Sequence, residues 1–277
     1  MKSTFDSMIS GKDLLKVITP LYWDGKFPKT IKKKYKISVV TTCMDRLKDL
    51  QITLKKNIED NKDYKKFEFL VLDYNSTRDN VGKWIKRDMS EYIKAGVLNY
   101  YRTEEPTQYS MAHSRNVAFK LAEGWLVNSV DADNFINPGF FDYLNQLAHQ
   151  QPQKAIFAKG KRSLHGRLGF YKHEFINLLG GYDEGLTGYG SEDHDLMHRA
   201  WGLGFKLLWY GGKFYKGTPD HRKHQVDNFD EKDWKYTENR NKVISLFNLT
   251  YGRFKANHKR EWGKANVVKN FTELVSV

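Results

Sequence analysis

Between residues 37 and 130 four short apolar runs alternate with three stretches of helical spacing, and this rhythm limits the possible folds more than any other feature of the chain. The runs fall at residues 37–42, 67–72, 97–101 and 125–130, the helical stretches at 45–58, 81–95 and 111–122. In the first helical stretch Leu47, Leu50, Leu54 and Ile58 share one face, and Gly124 is placed to end the third. Strands separated by helices pair side by side, which gives an α/β fold: a mostly parallel sheet flanked by helices. In such sheets ligands bind beyond the carboxyl ends of the strands. Thr41 and Thr42, Asp73, and Asp131 with Asp133 all fall at such ends.

The second half is less regular. Residues 155–158, 168–171 and 205–210 read as strands, and 173–179, 192–200 and 242–251 as helices, with Gly180 and Gly181 closing the first of these helices. No Gly-, Ser- or Pro-rich linker forces a second domain. The expected organisation is one main domain over residues 35–230, an N-terminal extension over 1–34, and a basic, partly helical C-terminal extension over 231–277. The single cysteine, Cys43, rules out an internal disulfide framework. No run approaches the roughly 20 apolar residues of a membrane span, and no signal-peptide pattern opens the sequence, so a cytoplasmic location is expected. A net charge of +13 calls for an anionic partner. No nucleic-acid-binding motif stands out, so nucleic acid is the least favoured. The run Lys32, Lys33, Lys34 and Lys36 reads either as a solvated flank or as peripheral attachment to acidic lipid at the inner membrane face.

Asp131-Ala132-Asp133 closes the fourth apolar run. Residues two apart on a strand point the same way, so the two carboxylates would share a hard divalent cation, which can in turn hold a diphosphate. A polar strand end is the plainer reading, but the acidic and polar ends of neighbouring strands favour the site. A further ligand is sought in Asp220-His221-Arg222-Lys223-His224, with His221 ahead of His224. Imidazole suits Mn²⁺ better than Mg²⁺, although both histidines also read as exposed loop residues. Glu192-Asp193-His194-Asp195 follows Gly188-Tyr189-Gly190-Ser191. Glycines let a backbone pass close to a sugar, while acids at a helix start are also favoured by the macrodipole. Facing a crevice, this helix start would put Glu192 on sugar hydroxyls and Asp193 on an acceptor hydroxyl. Arg115 would reach a phosphate or orient an aspartate. Asp73 would accept from a ribose or base, or simply close a turn.

In this order the segments resemble glycosyltransferase family 2 and its relatives with the GT-A fold. The resemblance rests on residues 37–42 with Asp45-Arg46, on Leu72-Asp73-Tyr74-Asn75-Ser76, on Ser114-Arg115-Asn116, and on Asp131-Ala132-Asp133. The later Gly180-Gly181-Tyr182-Asp183-Glu184 and residues 188–196 are similar to the carboxy-terminal motif of β-1,4-galactosyltransferases and polypeptide N-acetylgalactosaminyltransferases, and His221 falls about where a metal-ligand histidine follows it. Tyr189 and Ser191 stand where the galactosyltransferases favour Trp and Gly, and Tyr74 and Asn75 depart from the usual family 2 turn.

The resemblance implies a Rossmann-like GT-A domain and an inverting, metal-dependent transfer from a UDP-sugar, with galactose or N-acetylgalactosamine favoured, to a glycan or glycolipid hydroxyl. Asp193 would be the general base, with Glu192 binding sugar or acceptor. Asp131 and Asp133, joined by His221 or His224, would hold Mn²⁺ (or Mg²⁺). Thr41, Thr42, Asp45, Arg46, Asp73, Arg115 and Asp131-Ala132-Asp133 would line the donor site. A non-catalytic binder on the same fold would have no need of Asp131, Asp133, Glu192 and Asp193 together. A nucleotidyltransferase usually carries a Gly-rich loop after the first strand, and residues 41–47 contain no glycine.

Overall fold

The computed structural model describes residues 33–159, 167–210, 212–218 and 226–277. Its centre is a run of parallel strands: β1 (Ile37–Cys43), β2 (Phe67–Tyr74), β3 (Leu98–Thr103) and β4 (Leu126–Ser129), in the spatial order β3-β2-β1-β4. Strands covered on both faces read as continuous apolar runs, and β2 is buried along its whole length. Helices α1 (Leu47–Glu59), α2 (Val81–Asp88), α3 (Ser90–Lys94) and α4 (Met111–Leu121) make the crossovers. The single helix expected over 81–95 is two. Met89 leaves helical geometry at φ −121°, ψ 7° and buries its side chain.

Beyond β4 the chain forms β5 (Asn134–Ile136), α5 (Phe140–Gln150), β6 (Ala155–Ala158), β7 (Gly169–Tyr171), α6 (Glu192–Gly202), β8 (Lys206–Trp209) and β9 (Tyr215–Gly217). Strand β7 pairs antiparallel with β4 and with β6, β8 runs parallel to β6, and β5 and β9 make a separate two-stranded ribbon. The tail forms α7 (Trp234–Thr250), β10 (Asn266–Lys269) and β11 (Glu273–Ser276). β10 pairs antiparallel with β3 and completes a nine-stranded sheet, so residues 231–277 are built into the main domain rather than appended to it. No helix among the described residues is long and apolar enough to cross a membrane.

The packing also sets the loops at the carboxyl ends of the strands. Helix α1 turns Leu50, Leu54 and Ile58 into the core, as its spacing predicts. On the same helix Thr53 and Asn57, one turn apart, reach the segment after β4. The Thr53 hydroxyl donates to the Ala132 carbonyl at 2.6 Å. Asn57 donates to the Asn134 carbonyl at 2.9 Å and accepts the Ile136 N–H at 2.9 Å.

Candidate active site

Asp131-Ala132-Asp133 is a turn between β4 and β5, closed by the Asn134 N–H donating to the Asp131 carbonyl at 3.0 Å. The two carboxylates are therefore not aligned by strand alternation, as expected from the sequence. The turn, clamped by α1, holds them close instead. The Thr218 N–H fixes the Asp133 carbonyl from the other side at 2.8 Å. Asp131 keeps a side chain 38% exposed, whereas Asp133 is buried. Arg46 lies 3.3 Å from Asp133 Oδ2, and the Asn134 amide donates to Asp133 Oδ1 at 2.5 Å. Burial first, and Asp131 second, push the Asp133 carboxyl up to about 6 against the pull of Arg46 and Arg167.

Two neighbouring carboxylates, one of them pushed toward protonation by burial and by its neighbour, fit a hard divalent cation as two of its oxygen ligands. Among the described residues no third His, Cys, Asp or Glu joins them in a metal-sized group. His221 and His224 lie outside the described residues.

Arg115 joins this turn to the second acidic cluster. It projects from α4, whose Ser110 cap accepts the His113 N–H, and its guanidinium is buried. Nη2 lies 3.3 Å from Asp131 Oδ1. Nη1 lies 2.9 Å from Glu192 Oε1 and 3.2 Å from Asp193 Oδ1. Burial opposes the charge on Arg115, but Asp193, Tyr182, Asp131 and Glu192 together hold the guanidinium well above its ordinary pKa. The Tyr182 hydroxyl also donates to Asp193 Oδ1, at 3.2 Å, and its ring lies 5.5 Å from the guanidinium carbon. Burial, reinforced by Asp193, pushes the Glu192 carboxyl up to about 7, with Arg115 opposing. Asp195 takes no part: it turns inward onto Arg199 at 2.7 Å.

The glycines of the two later motifs have specific causes. Gly180 and Gly181 adopt φ of +66° and +74°, and a Cβ on Gly181 would stand 2.5 Å from Asn116 Oδ1. That amide holds the loop by accepting the Tyr182 N–H at 2.8 Å and donating to the Tyr182 carbonyl at 2.9 Å. Adjacent residues of α4 thus divide the work, with Asn116 placing Tyr182 and Arg115 gathering the carboxylates. Gly188, Gly190 and Ser191 also have positive φ, and α7 packs directly on this stretch. The Thr237 hydroxyl donates to the Tyr189 carbonyl at 2.8 Å, the Asn241 amide to the Gly190 carbonyl at 2.9 Å, and the Ser191 hydroxyl to the Glu238 carbonyl at 3.2 Å.

Other expected donor-site residues serve the framework. The Asp73 carboxylate is fully buried. Its Oδ2 accepts from the Tyr100 hydroxyl at 2.7 Å and Arg102 at 2.9 Å, and its Oδ1 from the Ser76 N–H at 2.8 Å. It is a turn residue and not an open acceptor for a ribose or base. Asp45, at φ +53°, accepts the N–H groups of Thr77 and Arg78 at 2.9 and 2.8 Å and pairs with Arg78 Nε at 3.0 Å. It ties the loop after β1 to the loop after β2. The buried Thr41 hydroxyl donates to the Val130 carbonyl at 2.7 Å, and Thr42 shares a hydrogen bond with the Tyr109 hydroxyl at 2.6 Å.

Three residues near the site escaped the sequence reading. Tyr182 was visible only as part of a motif. Arg167 reaches the Asp133 corner through Asn134 Oδ1, at 2.8 Å from its Nε. Asn228 bonds Arg78 and the Met44 carbonyl, and its own carbonyl accepts the Tyr109 N–H at 2.8 Å. It lies in an irregular segment with no sequence signal.

Residues 40–158 match the model described as glycosyltransferase like family 2, and residues 151–225 the model described as N-terminal domain of galactosyltransferase. No curated protein matches the chain. Among solved structures, the mannosyltransferase PcManGT from Pyrobaculum calidifontis, in complex with GDP-Man and Mn²⁺, superposes with a TM-score of 0.62 at 19% identity, over 83% of this chain and 67% of that one. TarS 1-349 of S. aureus in complex with UDP-GlcNAc gives 0.59 at 16% identity, over 77% and 67%. GalNAc-T7 with UDP, GalNAc and Mn²⁺ gives 0.52 at 17% identity, over 64% of this chain but only 42% of that one. The shared architecture is GT-A, and in succession over residues 40–225 the chain is similar first to glycosyltransferases of the family 2-like type and then to galactosyltransferases.

Proposed function

We propose that the protein moves a hexose from a UDP-sugar to a hydroxyl of a glycan or glycolipid, inverting the anomeric centre. The observation that carries this reading is the single guanidinium of Arg115 shared by Asp131, Glu192 and Asp193. It gives one site two halves, a carboxylate pair with one member open to a cation from solvent and a carboxylate pair buried on the guanidinium. Asp131 and Asp133 would hold Mn²⁺ (or Mg²⁺), which when bound supplies charge against the donor diphosphate. The match of residues 151–225 to a galactosyltransferase model supports galactose, and the likeness to GalNAc-T7 with UDP, GalNAc and Mn²⁺ supports N-acetylgalactosamine and UDP.

On the other half, Asp193 is oriented by Tyr182 and Arg115. In the transfer it takes the proton of the acceptor hydroxyl as that oxygen bonds to the sugar C1. The bond from C1 to the diphosphate oxygen breaks, and its electron pair leaves with the diphosphate. Glu192, beside Asp193 and on the same arginine, binds hydroxyls of sugar or acceptor. Arg115 keeps the three carboxylates from repelling one another apart.

UDP with Mn²⁺ should raise the melting temperature, and the Asp193→Asn variant should keep that shift while turnover of the UDP-sugar falls by about 10³-fold. A shift with no turnover of any UDP-sugar in the unmodified protein would mark a binder without catalysis. No shift with any nucleoside diphosphate would remove the reading altogether.

A further inference from the structure

Helix α7 is amphipathic in the reverse sense. The side it turns to the protein is polar, with Thr237, Asn241 and Ser245 buried at successive turns. The opposite side is apolar and faces solvent: Val243 is 68% exposed, Leu246 50%, Phe247 50% and Tyr251 65%. At 100° per residue these side chains and Tyr236 share one face, away from Asn241. A soluble helix with no occupant for that face would carry the opposite pattern.

The surroundings of the patch indicate what covers it. From Trp234 to Arg260, between Asp233 and Glu261, the sequence holds seven lysines and arginines against one acidic residue, Glu238. Lys242 pairs with Glu238 at 2.8 Å and Arg260 with Asp183 at 2.7 Å, and Arg253 keeps to the exposed rings. Arg253 lies over the rings of Phe247 and Tyr251 at 5.4 and 5.8 Å, and Arg240 over Tyr236 at 6.0 Å. The pattern is an aliphatic and aromatic centre, with tyrosines toward its ends and cations at its margin. Aromatic rings favour the water–lipid boundary, and long basic side chains reach from an apolar surface to lipid phosphates.

We infer that the outer face of α7 docks on an anionic lipid surface, with Val243, Leu246 and Phe247 entering the headgroup region and Arg253 meeting phosphate. The inner face of the same helix holds the 187–191 loop that leads into Glu192 and Asp193. Docking therefore sets that end of the cleft beside the bilayer, where a lipid-borne acceptor arrives. This last consequence rests on the transferase reading, whereas the docking itself does not.

The test is co-sedimentation of the full chain with phosphatidylcholine vesicles with and without phosphatidylglycerol. Phosphatidylglycerol should strengthen binding at least about tenfold, and salt should weaken it. The variant Leu246→Glu/Phe247→Glu should lose at least about tenfold of the binding to acidic vesicles at an unchanged melting temperature. Because that variant alters an exposed surface only, a melting point far below the parent's would turn the test to Phe247→Trp. Its added fluorescence should shift to the blue and be quenched by brominated lipid. Absence of vesicle binding overturns the proposal, as does equal binding by the glutamate variant, or added fluorescence in Phe247→Trp that brominated lipid leaves unquenched. A dimer that the glutamate variant dissolves, without vesicle binding, would assign the face to a second copy of the chain instead.

Discussion

The turn bearing Asp131 and Asp133 and the helix start bearing Glu192 and Asp193 offer the same chemistry, two carboxylates close together, at different exposure to solvent. At the turn Asp131 stays partly exposed, 3.3 Å from Arg115, and Asp133 lies 3.3 Å from Arg46. At the helix start both acids are buried against one buried guanidinium. The first pair keeps one carboxylate open to solvent, so a cation from outside can reach it. The second has its cation built in, which orients it and leaves it suited to proton transfer. Ligand chemistry therefore depends on how far each pair is open to solvent, and an acidic motif does not reveal that by itself.

Removing the shared cation should have the largest effect. Arg115→Met leaves three carboxylates facing each other, two of them buried, and should cost about 3–5 kcal/mol, a fall of roughly 10 °C in Tm. Thermal unfolding checks this, and an unchanged Tm would show that the two pairs are not joined through Arg115. Asp133→Asn should raise the Mn²⁺ concentration needed for half-maximal turnover by at least about tenfold, while Asp193→Asn should leave the half-point of its residual turnover where it was. Metal titrations of the two variants side by side would show whether the halves differ in kind.

A third expectation concerns pH. The Glu192 carboxyl is raised from 4.5 to about 7 in the folded protein, so the unfolded chain releases that proton first. Its contribution to stability is complete below pH 4.5 and is lost as pH rises through about 7. Glu192→Gln should flatten the fall in Tm between those limits, and an unaltered profile would mean that Glu192 is not strained by its neighbours. The smallest effect is expected at Thr237→Val, which removes one hydrogen bond to the Tyr189 carbonyl and should cost about 1 kcal/mol. A measurable loss of turnover at that distance from the acids would show that α7 positions the second pair.

The parallel centre of the fold was readable because β1 to β4 are buried on both faces, and such strands advertise themselves as apolar runs. β10 and β11 were not readable. They are short and half polar; β10 owes its place to pairing with β3, more than 160 residues away, and β11 to pairing with β10. The helix break at Met89 was hidden for a related reason, since burial of one side chain outweighs local propensity. Asp131, Asp133, Glu192, Asp193 and Arg115 stood out by residue type and motif. The means by which they meet did not, because Arg115 contacts residues 16, 77 and 78 positions away. Asp45 and Asp73 show the reverse error. Acidic residues at strand ends look like ligand groups in a sequence, and here loop N–H groups and Arg102 occupy them.

The most direct test of the two-halves account is the affinity for UDP, measured by calorimetry with and without Mn²⁺ in the parent protein, Asp133→Asn and Asp193→Asn. The account predicts that Mn²⁺ tightens UDP binding at least about tenfold in the parent and in Asp193→Asn, and leaves it unchanged in Asp133→Asn. Metal-independent binding in all three, or a gain lost from Asp193→Asn and kept by Asp133→Asn, would contradict it.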